Sequence, residues 1–458
     1  MIPKPVHSAR RALGVATVML LAAGGWGCAG HESRTRMALD ALDRDAPAEA
    51  VAALNEELEV ERAADLPVDL AGDNALLVLD RGSVLLSMDD HKLSARDLGA
   101  ADKAIEVLDL SSSTAGDVGK YLFSDSVGPY RAPAHEKLMI NTVNMMNYLA
   151  VGDLTGARVE ARRLAVMQKF LKDRSEDGAL LGLGSYLAGF AFEKSGNRDE
   201  ALAFYDDALH YAQYPSLRDP LRVLAGGQPR TKGIDALIGG AEPLPPVSET
   251  GEAEICVVVS FGRVPQKIPV RIPIGLALTL VAGDISPRDH AKANELAAKG
   301  LVTWVNFPVL GKGRGGYSIP TFHLDGKAQP MEQALDVEAE VRRAWEEKKG
   351  TVILAAITRM IARLVAGEVA QASAEAAAGD GGSPLGLLLG LATTAALSVA
   401  DTPDTRGWST LPARIAIARI RVKPGIHEVR LSARGSIKRY KINVADGGWA
   451  FVAMSALR

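Results

Sequence analysis

The chain has 458 residues and a formal charge of −3, enough length for two or three domains. A balance this close to neutral leaves no electrostatic footprint for nucleic acid, which is not expected as a partner. Aromatic residues are only 5% of the chain against 45 glycines, a bias that suits closely packed helices.

At the N-terminus, Lys4, Arg10 and Arg11 form a positive region, followed by an apolar run from Ala12 to Ala23 that is too short to span a bilayer. Gly24-Gly25-Trp26-Gly27-Cys28-Ala29 then leads small residues into a cysteine. Residues 1–28 thus resemble a bacterial lipoprotein signal, in which Cys28 is acylated and becomes the mature N-terminus. The alternative is an ordinary secretory signal with a chance cysteine. The resemblance implies membrane attachment through the lipid. Ala29 rather than Asp after the cysteine implies the outer membrane of a Gram-negative envelope, with the body facing the periplasm. Cys256 is then the one cysteine left, which excludes an intramolecular disulfide. Its setting in Glu-Ile-Cys-Val-Val-Val-Ser reads as a small buried hydrophobe in a strand.

Residues 36–224 carry helical signals. In Gly184–Pro215, Gly189 and Phe192 share one helix, Gly196 ends it, and Ala201, Tyr205 and Ala208 form the face of the next. Small residue, aromatic, then Ala, Tyr, Ala resembles a tetratricopeptide (TPR) helix pair. Tyr148, Gly152 and Ala157 repeat the offsets, as do Gly82, Ser94, Leu98 and Ala101. A fourth copy around Ala50 keeps Leu54. The spacing between copies exceeds the roughly 34-residue TPR unit, so the repeats carry inserts, the longest at about 109–133. This half is expected to fold as a separable solenoid.

Residues 225–254, rich in Gly and Pro, read as a linker. From 255 the pattern becomes that of strands: Ile255–Phe261, Gln266–Ile274, Val302–Val309 and Tyr317–Leu324, with a short helix at Ala291–Ala298. Two helices follow, one bearing Val337, Val341, Ala344 and Trp345 and a second at Ile353–Ala370. The apolar run Leu385–Ala400, about 16 residues, falls short of a membrane span and suits a buried helix. Strands return at Ala413–Val422, Ile426–Ser432, Lys438–Val444 and Trp449–Met454. The expected fold is α+β: an N-terminal TPR-like α-solenoid followed at 255–458 by a β-sandwich-like domain with a helical insertion at 333–400. Neither strand set alone can hide two faces, so those before 330 and after 410 should pair.

Three segments, Leu79-Asp80-Arg81-Gly82-Ser83-Val84, Asn147–Asp153 with Val159–Arg163, and Asp404-Thr405-Arg406-Gly407-Trp408-Ser409-Thr410-Leu411-Pro412, are similar to a family of uncharacterised bacterial envelope lipoproteins. Its genes often lie near one for a lipoprotein that activates penicillin-binding proteins. The resemblance implies a role in envelope or peptidoglycan assembly and carries no activity with it.

Asp404, Arg406 and Trp408 are the most site-like residues: a charged pair to grip a polar partner and an indole to stack on it. The competing reading is an internal Asp404–Arg406 clamp with Trp408 plugging the sandwich. Glu160, Arg162 and Arg163 form either a solvated helix face or part of a partner-binding groove. Gly311–Gly316 is basic and glycine-rich but lacks the order of a phosphate-binding loop. The histidines show no metal-ligand spacing, no Gly-x-Ser-x-Gly elbow occurs, and Asp89-Asp90 and Asp206-Asp207 read as solubilising pairs. No cofactor, metal site or catalytic residue is therefore expected. The function expected is a membrane-tethered scaffold or adaptor for an envelope protein. The alternative is a glycan-binding protein or enzyme with its site near Arg406 and Trp408.

Overall fold

The computed structural model describes residues 31–70, 73–111, 130, 132–171, 178–226, 231–281, 304–314, 317–378 and 402–458, with the single positions 287, 291 and 295. Cys28, most of the 109–133 insert, most of the Ala291–Ala298 helix and the Leu385–Ala400 run lie outside the described residues. The fold is α+β, with helices in the N-terminal region and sheets in the C-terminal one.

Among the described residues, the first eight helices pack in consecutive pairs: α1 (His31–Asp43) with α2 (Pro47–Glu57), α3 (Asn74–Ser87) with α4 (His91–Ser111), α5 (Ala134–Ala150) with α6 (Leu154–Leu171), and α7 (Gly178–Lys194) with α8 (Arg198–Tyr211). All four pairs turn in the same way. The first helix ends at a residue of positive φ (Asp45, Asp89, Gly152 or Gly196) whose amide bonds the carbonyl three residues back, while the next amide reaches five back. This Schellman closure satisfies the orphaned carbonyls of the last turn. Within a pair, a glycine admits a large neighbour. A Cβ on Gly189 would lie 2.5 Å from the buried Tyr205 ring, and one on Gly82 would lie 3.2 Å from Leu98.

Among the described residues, the strands form two four-stranded sheets and a two-stranded ribbon. The first sheet runs β10 (Trp449–Ala456), β1 (Ala253–Phe261), β7 (Arg414–Val422), β6 (Glu332–Asp336), with β1 parallel to β10 and antiparallel to β7. The second runs β5 (Lys327–Gln329), β4 (Thr321–Leu324), β8 (Gly425–Ala433), β9 (Ser436–Val444). Strands from before residue 330 and after 410 thus pair in both sheets, as the shortage of apolar strand faces demands. The ribbon of β2 (Lys267–Pro273) and β3 (Trp304–Leu310) packs with α12 (Ile274–Leu280) against α13 (Val337–Ala378).

Strand β1 is buried along its whole length. Its Ile255, Val257 and Val259 meet Phe322, Val429 and Leu431 of the second sheet. On its other face, Cys256 and Val258 join Ile415, Ile417, Phe451 and Ala453 in one core with the helical pairs. The order of layers is therefore helices, first sheet, second sheet. This overturns the expectation of a separable helical half, because one core spans both halves of the chain.

The stretch 225–254 is likewise no free linker. It holds α10 (Lys232–Ile238), capped by Thr231, and α11 (Val247–Thr250), after the short α9 (Arg218–Leu224). Arg198 donates to the carbonyls of Leu224 and Gly226, and Arg421 of β7 donates to that of Pro245. A second departure concerns α13, which runs unbroken where two helices were expected. Gly350 costs only about 1 kcal/mol in a helix interior, too little to end one flanked by strong helix formers.

A buried charge cluster joins the layers. Arg419 of β7 reaches Glu193 of α7 at 2.6 Å and also pairs with Glu254 of β1; Lys194 contacts both carboxylates. Tyr205 donates to Glu193 at 2.6 Å and accepts from Arg419 at 2.8 Å. Two cations thus face two anions, and the hydrogen bonds among them offset the cost of burying charge.

Candidate functional site

The segment at 404–411 is threaded between the layers. Arg406 is 5% exposed and grips Asp404 through Nε at 2.9 Å and Nη2 at 2.8 Å, with Asp73 at 3.5 Å. Its guanidinium sits 5.7 Å from the Tyr130 ring centroid. Trp408 is 2% exposed; its Nε1 donates to Ser83 Oγ at 2.8 Å and its amide to Glu136 at 2.9 Å. Thr410 bonds Asp80 through both its amide and its hydroxyl at 2.8 Å. Reading Trp408 as a stacking surface is thereby corrected, because an indole this enclosed presents no face to a partner. Asp404 and Arg406 form the internal clamp. Two of the sequence motifs, Leu79–Val84 and Asp404–Pro412, meet here and bond each other.

Around this junction lies a cavity of about 420 Å³, which sequence reasoning missed because its walls come from six separate segments. Its apolar lining includes Leu310, Val341, Trp345 and Leu411, and its polar lining includes His31, His135, Lys267 and Lys348. Burial pushes the His135 imidazole down to about 3, helped by Lys267 and Lys348. Burial also raises the Glu136 carboxyl, although Tyr130 donates to it at 2.6 Å and the Trp408 amide donates to it as well. His31 lies near Asp80 and Ser409, but both are 3.4 Å from the same nitrogen, Nε2. A hydrolytic triad needs the acid and the nucleophile on opposite nitrogens, so this grouping lacks that geometry.

The other predicted residues sit on α6. Arg162 and Arg163 are exposed and line a groove of about 420 Å³ between α4, α5 and α6, together with Asp102, Lys137, Val159 and Val166. Val166 is 69% exposed, unusual for a β-branched apolar side chain on a packed helix. Arg162 also lies 5.8 Å from the Phe192 ring centroid. Arg163 donates to Glu160 at 3.2 Å and lies 3.6 Å from Asp102. Glu160 lies beneath, 3% exposed, and burial raises its carboxyl to about 7 against the pull of Arg163, with Asp102 adding to the rise. The structure brings Arg162 and Arg163 together at one groove and leaves Glu160 as its buried support; the 404–408 segment belongs elsewhere.

Cys256 is buried in β1, and burial pushes its thiol up to about 12, far from a reactive thiolate. Arg314 of the basic glycine-rich loop pairs with Asp43. Among the described residues, no three His, Cys, Asp or Glu side chains gather as a metal site, and no helix is long and apolar enough to cross a membrane. No family model matches the chain, and neither curated proteins nor solved structures yield a match.

Proposed function

We propose that this protein is a lipid-tethered adaptor of the bacterial cell envelope, its helical pairs forming a TPR-like solenoid that holds a protein partner. The sheets would act as a β-sandwich-like base, with the helical insertion bracing it. The observation that carries the reading is the α4–α6 groove, where exposed Val159 and Val166 lie beside Arg162 and Arg163. Apolar anchors ringed by guanidinium groups suit a partner segment that is itself apolar and acidic. The resemblance to envelope lipoproteins, with Cys28 as the acylated residue, supplies the tether and the compartment.

The competing reading, a glycan-binding protein or enzyme working through Arg406 and Trp408, loses ground because both side chains are consumed inside the molecule. The test places a photo-crosslinking residue at Val166 of the tethered protein in cells. The expected result is a protein adduct that disappears when Arg162 and Arg163 are both changed to Glu, and a Cys28→Ala protein that leaves the membrane fraction. Peptidoglycan fragments as the sole adduct would replace the adaptor reading with the glycan one.

A further inference from the structure

The junction cavity lies outside the groove and has no part in the adaptor reading. Its volume of about 420 Å³ falls within the range of small-molecule sites, roughly 300–1,000 Å³. Pro133, Leu310, Val341, Trp345, Val352 and Leu411 make its wall mainly apolar. Its charged lining sets Lys267 and Lys348 against Glu32 and the buried Glu136. Lys348 is exposed and has no carboxylate within ion-pair distance among the described residues. Lys267 spends one donor on the Arg406 carbonyl at 2.9 Å and acts on the Glu136 carboxyl only through space, with no direct ion pair among the described residues. Glu136, the buried carboxylate of this wall, already accepts from Tyr130 and Trp408. His31, 2% exposed, lines the same cavity and leaves Nδ1 without a hydrogen-bond partner, an arrangement that costs free energy unless something fills it.

We propose that this cavity binds an anionic amphiphile, an apolar chain ending in one carboxylate, with the chain against Leu310, Val341 and Trp345 and the carboxylate between Lys267 and Lys348. Lys267, Lys348 and His135 all line the cavity, and both ammonium charges act on the His135 imidazole. Lone ammonium groups without a guanidinium fork or a nest of amides suit a monoanionic carboxylate, since planar bidentate recognition is the province of arginine. The apolar wall accounts for the rest of the ligand, because a wholly polar anion would leave it unpaired.

The test is calorimetric titration of the full mature chain with laurate, and with dodecanol as its uncharged counterpart. Laurate is expected to bind saturably at one per chain and at least about tenfold more tightly than dodecanol. Lys348→Glu changes an exposed residue and should leave the melting temperature alone while weakening laurate about tenfold, with dodecanol unaffected. Ala344→Trp should fill the cavity and abolish both. Absence of saturable laurate binding, equal affinity for the acid and the alcohol, or an unchanged affinity in a folded Lys348→Glu protein would each overturn the proposal.

Discussion

Glu160 shows how one residue type can be read correctly as part of a surface and wrongly as part of its exposed face. Its neighbours in sequence, Arg162 and Arg163, reach solvent, but helical geometry turns Glu160 inward toward α5. Because burial raises its folded pKa to about 7, above the unfolded value of about 4.3, its stabilising effect is fullest below that lower value. It is lost as pH rises through 7. Glu160→Gln should therefore gain on the wild type by about 2 kcal/mol between roughly pH 5 and pH 8, as urea denaturation at the two pH values would measure. A constant difference would mean that water reaches the carboxylate. Trp408 makes the opposite point. Its composition suggested display, and its two donors, both paired inside, gave it a structural task instead.

At the scale of the element, the helix pair is the unit that sequence describes best. Gly189 and Tyr205 are sixteen positions apart, as are Gly82 and Leu98, and in each pair the glycine accepts the larger side chain. Tyr205→Ala should cost about 2–5 kcal/mol in chemical denaturation, since it empties the groove of α7 and α8 and strips a hydrogen bond from Glu193. A loss below about 0.5 kcal/mol would show that the groove collapses around the smaller residue. Strands were legible for a different reason. Period-two alternation marks β9, exposed on one face. In β1 both faces are buried, so it reads as an unbroken β-branched run.

At the scale of the whole molecule, the charge cluster of Arg419, Glu193, Glu254 and Lys194 fastens helices to sheet. Burial alone would push Glu193 up, but Arg419 and Lys194 outweigh it and hold it below the ordinary carboxylate range. Its stabilising effect is thus present above the unfolded pKa of about 4.3 and lost as pH falls below it. Arg419→Met should destabilise by about 3–5 kcal/mol at neutral pH, because it strands two buried carboxylates on one lysine. The variant should also lose less than the wild type on acidification, and parallel acid titrations of the two would contradict the assignment.

The local features followed from the sequence by itself: helix pairs, turn glycines, strand runs and the need for the two strand sets to pair. Each rests on a period or a backbone preference that acts within a few residues. Even the shared sheets were within reach, because counting apolar strand faces is arithmetic on the chain. Tertiary structure alone decided where the layers meet. The union of Leu79–Val84 with Asp404–Pro412, the single core through Cys256 and Val258, and the cavity behind His31, Lys267 and Lys348 join residues hundreds of positions apart. No periodicity records such contacts. They arise because the first sheet is apolar on both faces, and only a second layer on each side can remove it from water.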